Sequence, residues 1–577
     1  MMDFIKTLVT TASSSESFDM VIRRMAKDSR NVAYPGIVVV LDKDGILQGV
    51  MTDGDIRRAY AADISFSSKI SRVMVKDPIT ISNKVPDELI SSVVIKKVQL
   101  NDRHHSEWIR HVLVVDEANR LINIIDYLHI LQNRNGPVNR VAVVGLGYVG
   151  LTLAVSLANR GHQVTGIDIQ ESIISSLNKG SSHIFEPGLD DMLKANLERQ
   201  SIEFSTSFES EAHQIYIIAV GTPLDKKSVP DLVPLKKSLQ VISKKLKKGN
   251  QVMLRSTVPV GITREIVIPY LEKKTGLIAG ADFHISFAPE RTIEGAAMYE
   301  LKTLPQVVGG FSTKCTQLSV DFWASLTPTV VRVDSLEAAE LVKLANNTFR
   351  DLSFSFSNEL ALLADKYNVN TFELINAANE GYPRNKIPSP SPGVGGYCLT
   401  KDPILFSSDS NGIRGDAVLG ISSRKVNERA AMYPIKLINK YIETHNISLS
   451  DLNVLIIGIA FKGSPETTDV RSSVSIYLLN ELKEKVKNVY GWDAVISSNS
   501  LRDIGFKISK NIQTAIINSN VVLIMNNHPN NIISEIYYPS NQNKLIFDGF
   551  NQLNKTEVEK TSGLTYATMG YMTKLAE

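Results

Sequence analysis

The sequence is nearly without cysteine: Cys315 and Cys398 are its only thiols in 577 residues. So few exclude a disulfide-built scaffold and fit a reducing compartment, so a cytoplasmic protein is expected. CxxC and HExxH spacings are missing too, and no metal centre is expected. No apolar run approaches the ~20 residues of a membrane-spanning helix. The start, Met1-Met2-Asp3-Phe4-Ile5-Lys6, carries no long apolar stretch behind a basic cluster, so no signal peptide is expected. An excess of one charge is also lacking. Sixty-three Lys and Arg face sixty Asp and Glu, a formal charge of +3. That balance gives no electrostatic case for nucleic acid or an anionic membrane. The densest basic run, Lys244-Lys245-Leu246-Lys247-Lys248, reads as a solvated helix end.

What is present is an ordinary globular composition, 43% hydrophobic and 21% charged. The length calls for about three to five domains. The front segment, 1–135, reads as a repeat. Ile37-Val38-Val39-Val40-Leu41 is a strand, Asp42-Lys43-Asp44-Gly45 a turn, and Gly49-Val50-Met51 a second strand before a helix start at Thr52-Asp53-Gly54-Asp55. The plan recurs at His111–Val115, Asp116–Arg120 and Leu121–Ile125. The pattern resembles a tandem pair of CBS modules, small α+β units that commonly bind adenosine nucleotides. The ribose-contacting pattern of such modules, Gly-x-x-Thr-x-x-Asp, occurs once, as Gly49, Thr52 and Asp55. The second copy has Asn123, Asp126 and His129 there, so one competent regulatory nucleotide site is expected, if the modules bind a ligand at all. A polar linker, Gln132 to Pro137, follows.

Behind it, Arg140–Val144 is a short buried strand running into Gly145-Leu146-Gly147-Tyr148-Val149-Gly150 and then a helix, Leu151 to Asn159. A second strand, Gln163–Ile167, closes on Asp168. Each residue answers a physical need. Gly145 permits a tight turn, Gly147 lets backbone approach a diphosphate, and Gly150 lets helix and strand pack closely. Helix amides then face the phosphates. Asp168, 18 positions after Gly150, suits the ribose hydroxyls and repels a 2′-phosphate, so NAD is the expected cofactor. Another buried strand, Ile215–Val220, empties at Gly221-Thr222-Pro223.

Four further segments bear on chemistry: Arg255–Gly261, Phe287–Arg291, Glu340–Asn347, and Gly395-Gly396-Tyr397-Cys398-Leu399-Thr400-Lys401-Asp402. Lys343 and Asn347, four apart, share a helix face and make a donor pair suited to an oxyanion. Cys398 follows two glycines in a turn that exposes backbone amides, a setting for a nucleophile. Asp402 suits either a base or a helix cap. Cys315 has no partner motif and reads as structural. A hydride acceptor and a thiol in one chain suggest oxidation of an alcohol to an aldehyde, capture by the thiol, and a second oxidation to the acid.

From about residue 139 onward the chain is similar to the nucleotide-sugar 6-dehydrogenases, the family acting on UDP-glucose, UDP-N-acetylhexosamines and GDP-mannose. The resemblance implies two Rossmann-like doubly wound α/β domains joined by a helical, dimerising central domain. The expected division is CBS modules at 1–135, an NAD domain at 139–330, the helical domain at 331–435 and a nucleotide-sugar domain at 436–577. It also implies roles. Cys398, Lys343, Asn347, Asp402, Thr257 and Glu290 become catalytic, with Thr257 holding water. Gly145, Gly147, Tyr148, Val149, Gly150, Asp168, Thr222 and Arg471 become the NAD site. Arg384, Lys462 and Gly395 become substrate contacts. Around Lys343 and at Leu304–Gly310 the sequence is closest to the N-acetylglucosamine and N-acetylmannosamine branch, whose uronic acids feed bacterial surface polysaccharides. Three departures sit by the sugar pocket: Tyr397 where that branch often has histidine, Pro390-Ser391-Pro392-Gly393, and Lys401 beside Asp402. Two other readings exist: a two-electron dehydrogenase of the 6-phosphogluconate or hydroxyacid type, which needs no thiol, and a nucleotide sensor with an inert dehydrogenase body.

Overall fold

The computed structural model describes residues 9–28, 32, 34, 36–85, 93, 111–126, 139–208, 213–225, 228–409 and 417–573. His129, the Gln132–Pro137 linker and the Met1–Lys6 start lie outside them. The chain forms two compact units, Met1–Gly136 and Pro137–Glu577.

In the first unit, Thr10–Ala12 pairs parallel with Ile37–Leu41, which pairs antiparallel with Leu47–Thr52. The second half repeats this arrangement: Thr80–Ser82 is parallel to His111–Val115, which is antiparallel to Leu121–Asp126. Even the irregularity is repeated, with register shifts at Val40/Leu41 and at Val114/Val115. Val39, Leu41, Leu113, Val115 and Ile124 bury into one shared core. The internal repeat expected from sequence is therefore present as paired three-stranded sheets.

The second unit contains two sheets. The first has eight strands in the order Val330–Val333, Gln306–Gly310, His284–Phe287, Gln251–Leu254, Ile215–Ile218, Arg140–Val144, Gln163–Ile167, Ile202–Ser205. All neighbours are parallel except His284–Phe287 with Gln306–Gly310. Strands such as Ile215–Ile218 are buried on both faces, which is why they read as unbroken apolar runs. The second sheet has six strands, Asn488–Trp492, Asn453–Ile457, Val521–Ile524, Lys544–Asp548, Leu564–Thr568 and Tyr571–Met572, parallel but for the last pair. Between them in sequence lie the 29-residue helix Leu336–Ala364, which packs against Val418–Ala431, and Tyr397–Phe406. Lys244 ends its helix exposed, as expected of a solvated basic end, and Cys315 is 1% exposed.

Candidate active site

The glycine loop is shaped for a diphosphate. Gly145 has φ +94°, and a side chain there would meet the Ala219–Val220 backbone at 2.9 Å. A Cβ on Gly150 would collide with the Gly145 carbonyl. On Gly147 it would enter open space, the one point of the loop where backbone can approach a ligand. Gly147 caps the helix Tyr148–Asn159, so Tyr148, Val149 and Gly150 supply its first amides. Asp168 stands half-buried at the end of the second strand, with Oδ2 accepting from the Leu146 amide (2.9 Å) and Oδ1 from the Gln170 amide (3.0 Å). It thus braces the loop and keeps acceptor capacity for a ribose. The Tyr148 hydroxyl donates to Glu186 rather than into the cleft.

The long helix aligns Glu340, Lys343, Asn347 and Asp351 on one buried face, the periodicity that a 3.6-residue turn imposes. Opposite it, the glycine-rich segment is not a free turn. Gly396, at φ +87°, caps the helix Tyr397–Phe406, and Cys398 sits in its first turn. Free amides and the positive end of the helix therefore lie beside the sulfur. Cys398 is exposed to solvent, and Asp402, Lys343, Lys401 and Glu294 lie near enough to act on its charge. Burial and Asp402 push the thiol up, while Lys343 and Lys401 pull the other way.

Asp402 is fully buried, and both its oxygens are engaged: Asn347 Nδ2 donates to Oδ2 at 2.5 Å and Lys401 Nζ to Oδ1 at 2.7 Å. The expected Lys343–Asn347 donor pair is thus extended: one Asn347 N–H is committed to Asp402 and one remains.

Glu290 is 4% exposed and paired with the buried Arg255 guanidinium, whose Nε donates at 3.0 Å. The other Glu290 oxygen accepts from the Thr292 amide at 2.6 Å. Burial alone would raise this carboxyl, but Arg255 and Thr292 hold it below the ordinary range. Lys343 adds to that pull, which puts Glu290 within electrostatic reach of the long helix. Thr257 is half-buried, and its carbonyl accepts from the Thr222 hydroxyl. Thr222 is thereby a tie between two loops at the carboxyl edge of the sheet. Glu340 anchors the next loop, accepting from Gly261 N (2.7 Å), Thr263 N (3.0 Å) and Thr263 Oγ1 (2.6 Å).

The last domain reaches in through two cations. Lys462 Nζ donates to the Glu294 carbonyl at 2.5 Å. Arg471 binds Asp469, meets Glu294 at 3.3 Å, and lies 4.6 Å over the Tyr397 ring. Gly395 passes under Ser472, where a side chain would meet a carbonyl at 2.6 Å. Arg384 is exposed and stacks 5.2 Å over Tyr382; among the described residues no hydrogen bond or ion pair joins it to the cysteine helix. Glu294 was missed in the sequence, and Arg255 was noted there only as the start of a segment, without a role. Glu294 lies four residues beyond Glu290, a spacing that could have drawn notice. Asp493, just past the strand Asn488–Trp492, accepts from the Ile459 and Ala460 amides and so shapes the loop bearing Lys462.

In the first unit, Thr52 and Asp55 do meet, but as a helix cap: Thr52 N and Oγ1 donate to Asp55 Oδ2 at 2.7 and 2.8 Å, and Arg58 takes Oδ1 at 2.5 Å. Gly49 is required because Val75 O would lie 2.6 Å from its Cβ. The motif thus has a local structural account of its own. Among the described residues no cluster could hold a metal, and no helix is long and apolar enough to cross a membrane.

Comparison with known proteins agrees with this geometry. Three models of the UDP-glucose/GDP-mannose dehydrogenase family match in order: the NAD binding domain at 139–327, the central domain at 337–429 and the UDP binding domain at 455–555. A CBS domain matches 3–62. UDP-N-acetyl-D-mannosamine dehydrogenase of Pyrococcus horikoshii is 33% identical over 422 residues, 73% of this chain and 97% of that protein. Its counterpart from Campylobacter jejuni is 33% identical over 353 residues, 60% and 83%. Among solved structures, a UDP-glucose dehydrogenase from Pyrobaculum islandicum superposes with a TM-score of 0.65 at 26% identity, covering 76% of this chain and 99% of that one. The chain belongs to the UDP-glucose/GDP-mannose dehydrogenase family, as an NAD-dependent UDP-sugar dehydrogenase with a CBS domain at its front.

Proposed function

We propose that this enzyme oxidises the C6 hydroxyl of a UDP-N-acetylhexosamine to the carboxylic acid, holding the intermediate on Cys398. The observation that supports this best is the convergence of Lys343 and of the hydrogen-bonded Asn347 and Asp402 on one accessible thiol. NAD fits the chain's front sheet, where Gly147 leaves room and Asp168 keeps acceptor capacity; bound there, it supplies the hydride acceptor for both oxidations.

The C6 hydroxyl loses its proton to a water between Thr257 and Asp402, and hydride leaves C6. Lys343 and the remaining Asn347 N–H stabilise the alkoxide. The Cys398 sulfur adds to the aldehyde carbon, forming a thiohemiacetal. Loss of a second hydride gives a thioester. Water directed by Asp402 or Glu290 then cleaves the C–S bond, releasing the acid and restoring the thiol. Lys462 holds the nucleotide sugar, Arg471 turns toward the dinucleotide, and Arg384 reaches substrate from its exposed loop. Cys398→Ser tests the covalent step. Acid formation is expected to vanish, and undiminished acid would overturn it.

Relatives named for N-acetylmannosamine support that sugar, and a panel of UDP-sugars scored by NADH yield decides among it, N-acetylglucosamine and glucose. Two NADH per sugar separates this reading from a two-electron dehydrogenase; no NADH with any sugar would favour the sensor. A role in surface polysaccharide synthesis rests on the same resemblance, and loss of acidic polymer from a strain lacking the enzyme tests it. The long helix supports a homodimer: Leu341, Phe349, Phe356 and Leu363 form an exposed stripe on its outer face. An adenine nucleotide at Thr52 and Asp55 would regulate turnover, and calorimetry with AMP and ATP tests for it.

A further inference from the structure

The polar face of the long helix does not end at Asn347. Asp351, one turn on, and Asn358, two turns further, continue the stripe that carries Lys343 and Asn347, and both are fully buried. Asp351 Oδ1 accepts from Arg424 Nη1 at 2.6 Å and from Asn427 Nδ2 at 2.8 Å, and its Oδ2 accepts from Ser423 Oγ at 2.7 Å. Two arms leave this centre. Arg424 Nη2 donates to the Val394 carbonyl at 3.3 Å. Asn427 Oδ1 accepts from Asn358 Nδ2 at 2.9 Å, and Asn358 Oδ1 accepts from the Ser391 amide at 2.8 Å. The arms end at the two ends of a strap, residues 391–394, that runs through Gly395 and Gly396 into the helix bearing Cys398. Between them Gly393, at φ +84°, backs onto Ala431 of the helix that carries Arg424, where a side chain would meet Ala431 Cβ at 2.8 Å.

Prolines at 388, 390 and 392 leave the strap short of N–H groups, and it lies outside any helix or strand, so side chains must hold it. A buried ion pair contributes little net stability over an apolar pair of the same volume, and its best-attested service is to fix register. We propose that Asp351 and Arg424 are positioning residues: they set the register of the strap, and so of the Cys398 sulfur, against Lys343 and Asn347. The sulfur has to meet the aldehyde carbon where those two donors hold its oxygen, and a misplacement of about 1 Å costs about a hundredfold in rate. One helix is thus both the platform for the oxyanion donors and the gauge that places the nucleophile. Ser391, one of the departures beside the sugar pocket, takes part from within the strap: its Oγ donates to the Gly393 carbonyl at 2.8 Å.

This inference rests on the proposed reaction, and its readout is the ratio of products. Arg424→Lys keeps a charge for Asp351 but lacks the two-nitrogen fork that also spans to Val394 O. With the strap released, the first oxidation goes on while capture by the sulfur falters, so aldehyde escapes. The enzyme is run with NAD and UDP-N-acetylmannosamine, NADH is counted per sugar consumed, and free aldehyde is trapped with a hydrazine. Wild type is expected to give two NADH per sugar and no hydrazone. Arg424→Lys is expected to form acid between about ten- and a hundredfold more slowly. Its NADH per sugar should fall toward one and the hydrazone should appear, with the KM for NAD and the melting temperature close to wild type. A folded Arg424→Lys with an unchanged acid rate and two NADH per sugar overturns the proposal. So does loss of acid with no aldehyde released, which is the mark of a general fault in folding. Should Arg424→Lys not fold, Ser391→Ala loosens the strap from its own side and must move the ratio in the same direction; an unchanged ratio overturns the proposal again. If wild type itself forms no acid from any UDP-sugar, the proposed reaction fails and this inference falls with it; if wild type forms acid and the variants match it, only this inference falls.

Discussion

The Arg255–Glu290 pair offers the sharpest test of how this structure is held. Arg255 is 2% exposed and Glu290 4%. The guanidinium donates to Glu290, to Ala288 O at 3.1 Å and to Gln306 Oε1 at 3.0 Å, and it lies 4.7 Å over Trp323. Replacing Arg255 by Met keeps much of the volume but leaves the carboxylate as a buried, unpaired charge. Breaking such a pair from one side costs about 3–5 kcal/mol. In a domain of this size that corresponds to a fall in melting temperature on the order of 10 °C. The sign of the pH dependence follows. Arg255 holds Glu290 below the ordinary carboxylate range, so the pair contributes at neutral pH and is lost as Glu290 takes a proton in acid. The deficit of Arg255→Met should therefore shrink as pH falls. The double variant Arg255→Met/Glu290→Gln removes the isolated charge, keeps an acceptor for Thr292 N, and should recover at least half of the loss. Scanning calorimetry of wild type, both single variants and the double variant decides the matter. A double variant no more stable than Arg255→Met, or a deficit that does not vary with pH, would refute the reasoning.

Three other outcomes are expected. Gly147→Val adds bulk where a side chain meets nothing, so it should leave the melting temperature unchanged while raising the KM for NAD about tenfold or more, ~1.4 kcal/mol of lost binding. Burial pushes Glu340 from 4.5 up to about 7, so its contribution is full below its unfolded value and is lost as pH rises toward 7. Wild-type stability should carry a downward slope of up to ~1.4 kcal/mol per pH unit from this group, and Glu340→Gln, followed by denaturant melts across that window, should be flatter. Phe349 and Phe356 are 70% and 56% exposed on the outer face of the long helix. Glutamate at both should yield a monomer by light scattering, with helix content preserved.

Much of the site was legible because its geometry is local. The glycines, the helix they cap and Asp168 lie within one strand–helix–strand unit, where spacing dictates contact. Lys343 and Asn347 could be placed on one face because the helix period is fixed. What escaped was contact across long stretches of chain: Arg255 with Glu290, Glu340 with Gly261, Glu294 with Arg471, and Asn347 with Asp402. No periodicity reports such pairs, since they depend on how sheet edges and helices are brought together. The segment around Cys398 read as a turn because its glycines are prominent, but Gly396 starts a helix instead. Thr52 and Asp55 show the reverse case: the motif was correctly seen, and its residues serve one another as a cap.

The two acidic residues that close the second strands of the two sheets have a consequence for which nucleotide goes where. Asp168 is approached by two amides, whereas Asp493 is ringed by four, from Ile459, Ala460, Val495 and Ile496. A carboxylate has room for about four donors. The rear acid is therefore saturated by its own chain and has nothing to offer a sugar, while the forward one is only half subscribed. Of the two sheets, only the first thus keeps a strand-end carboxylate with acceptors to spare for a ribose.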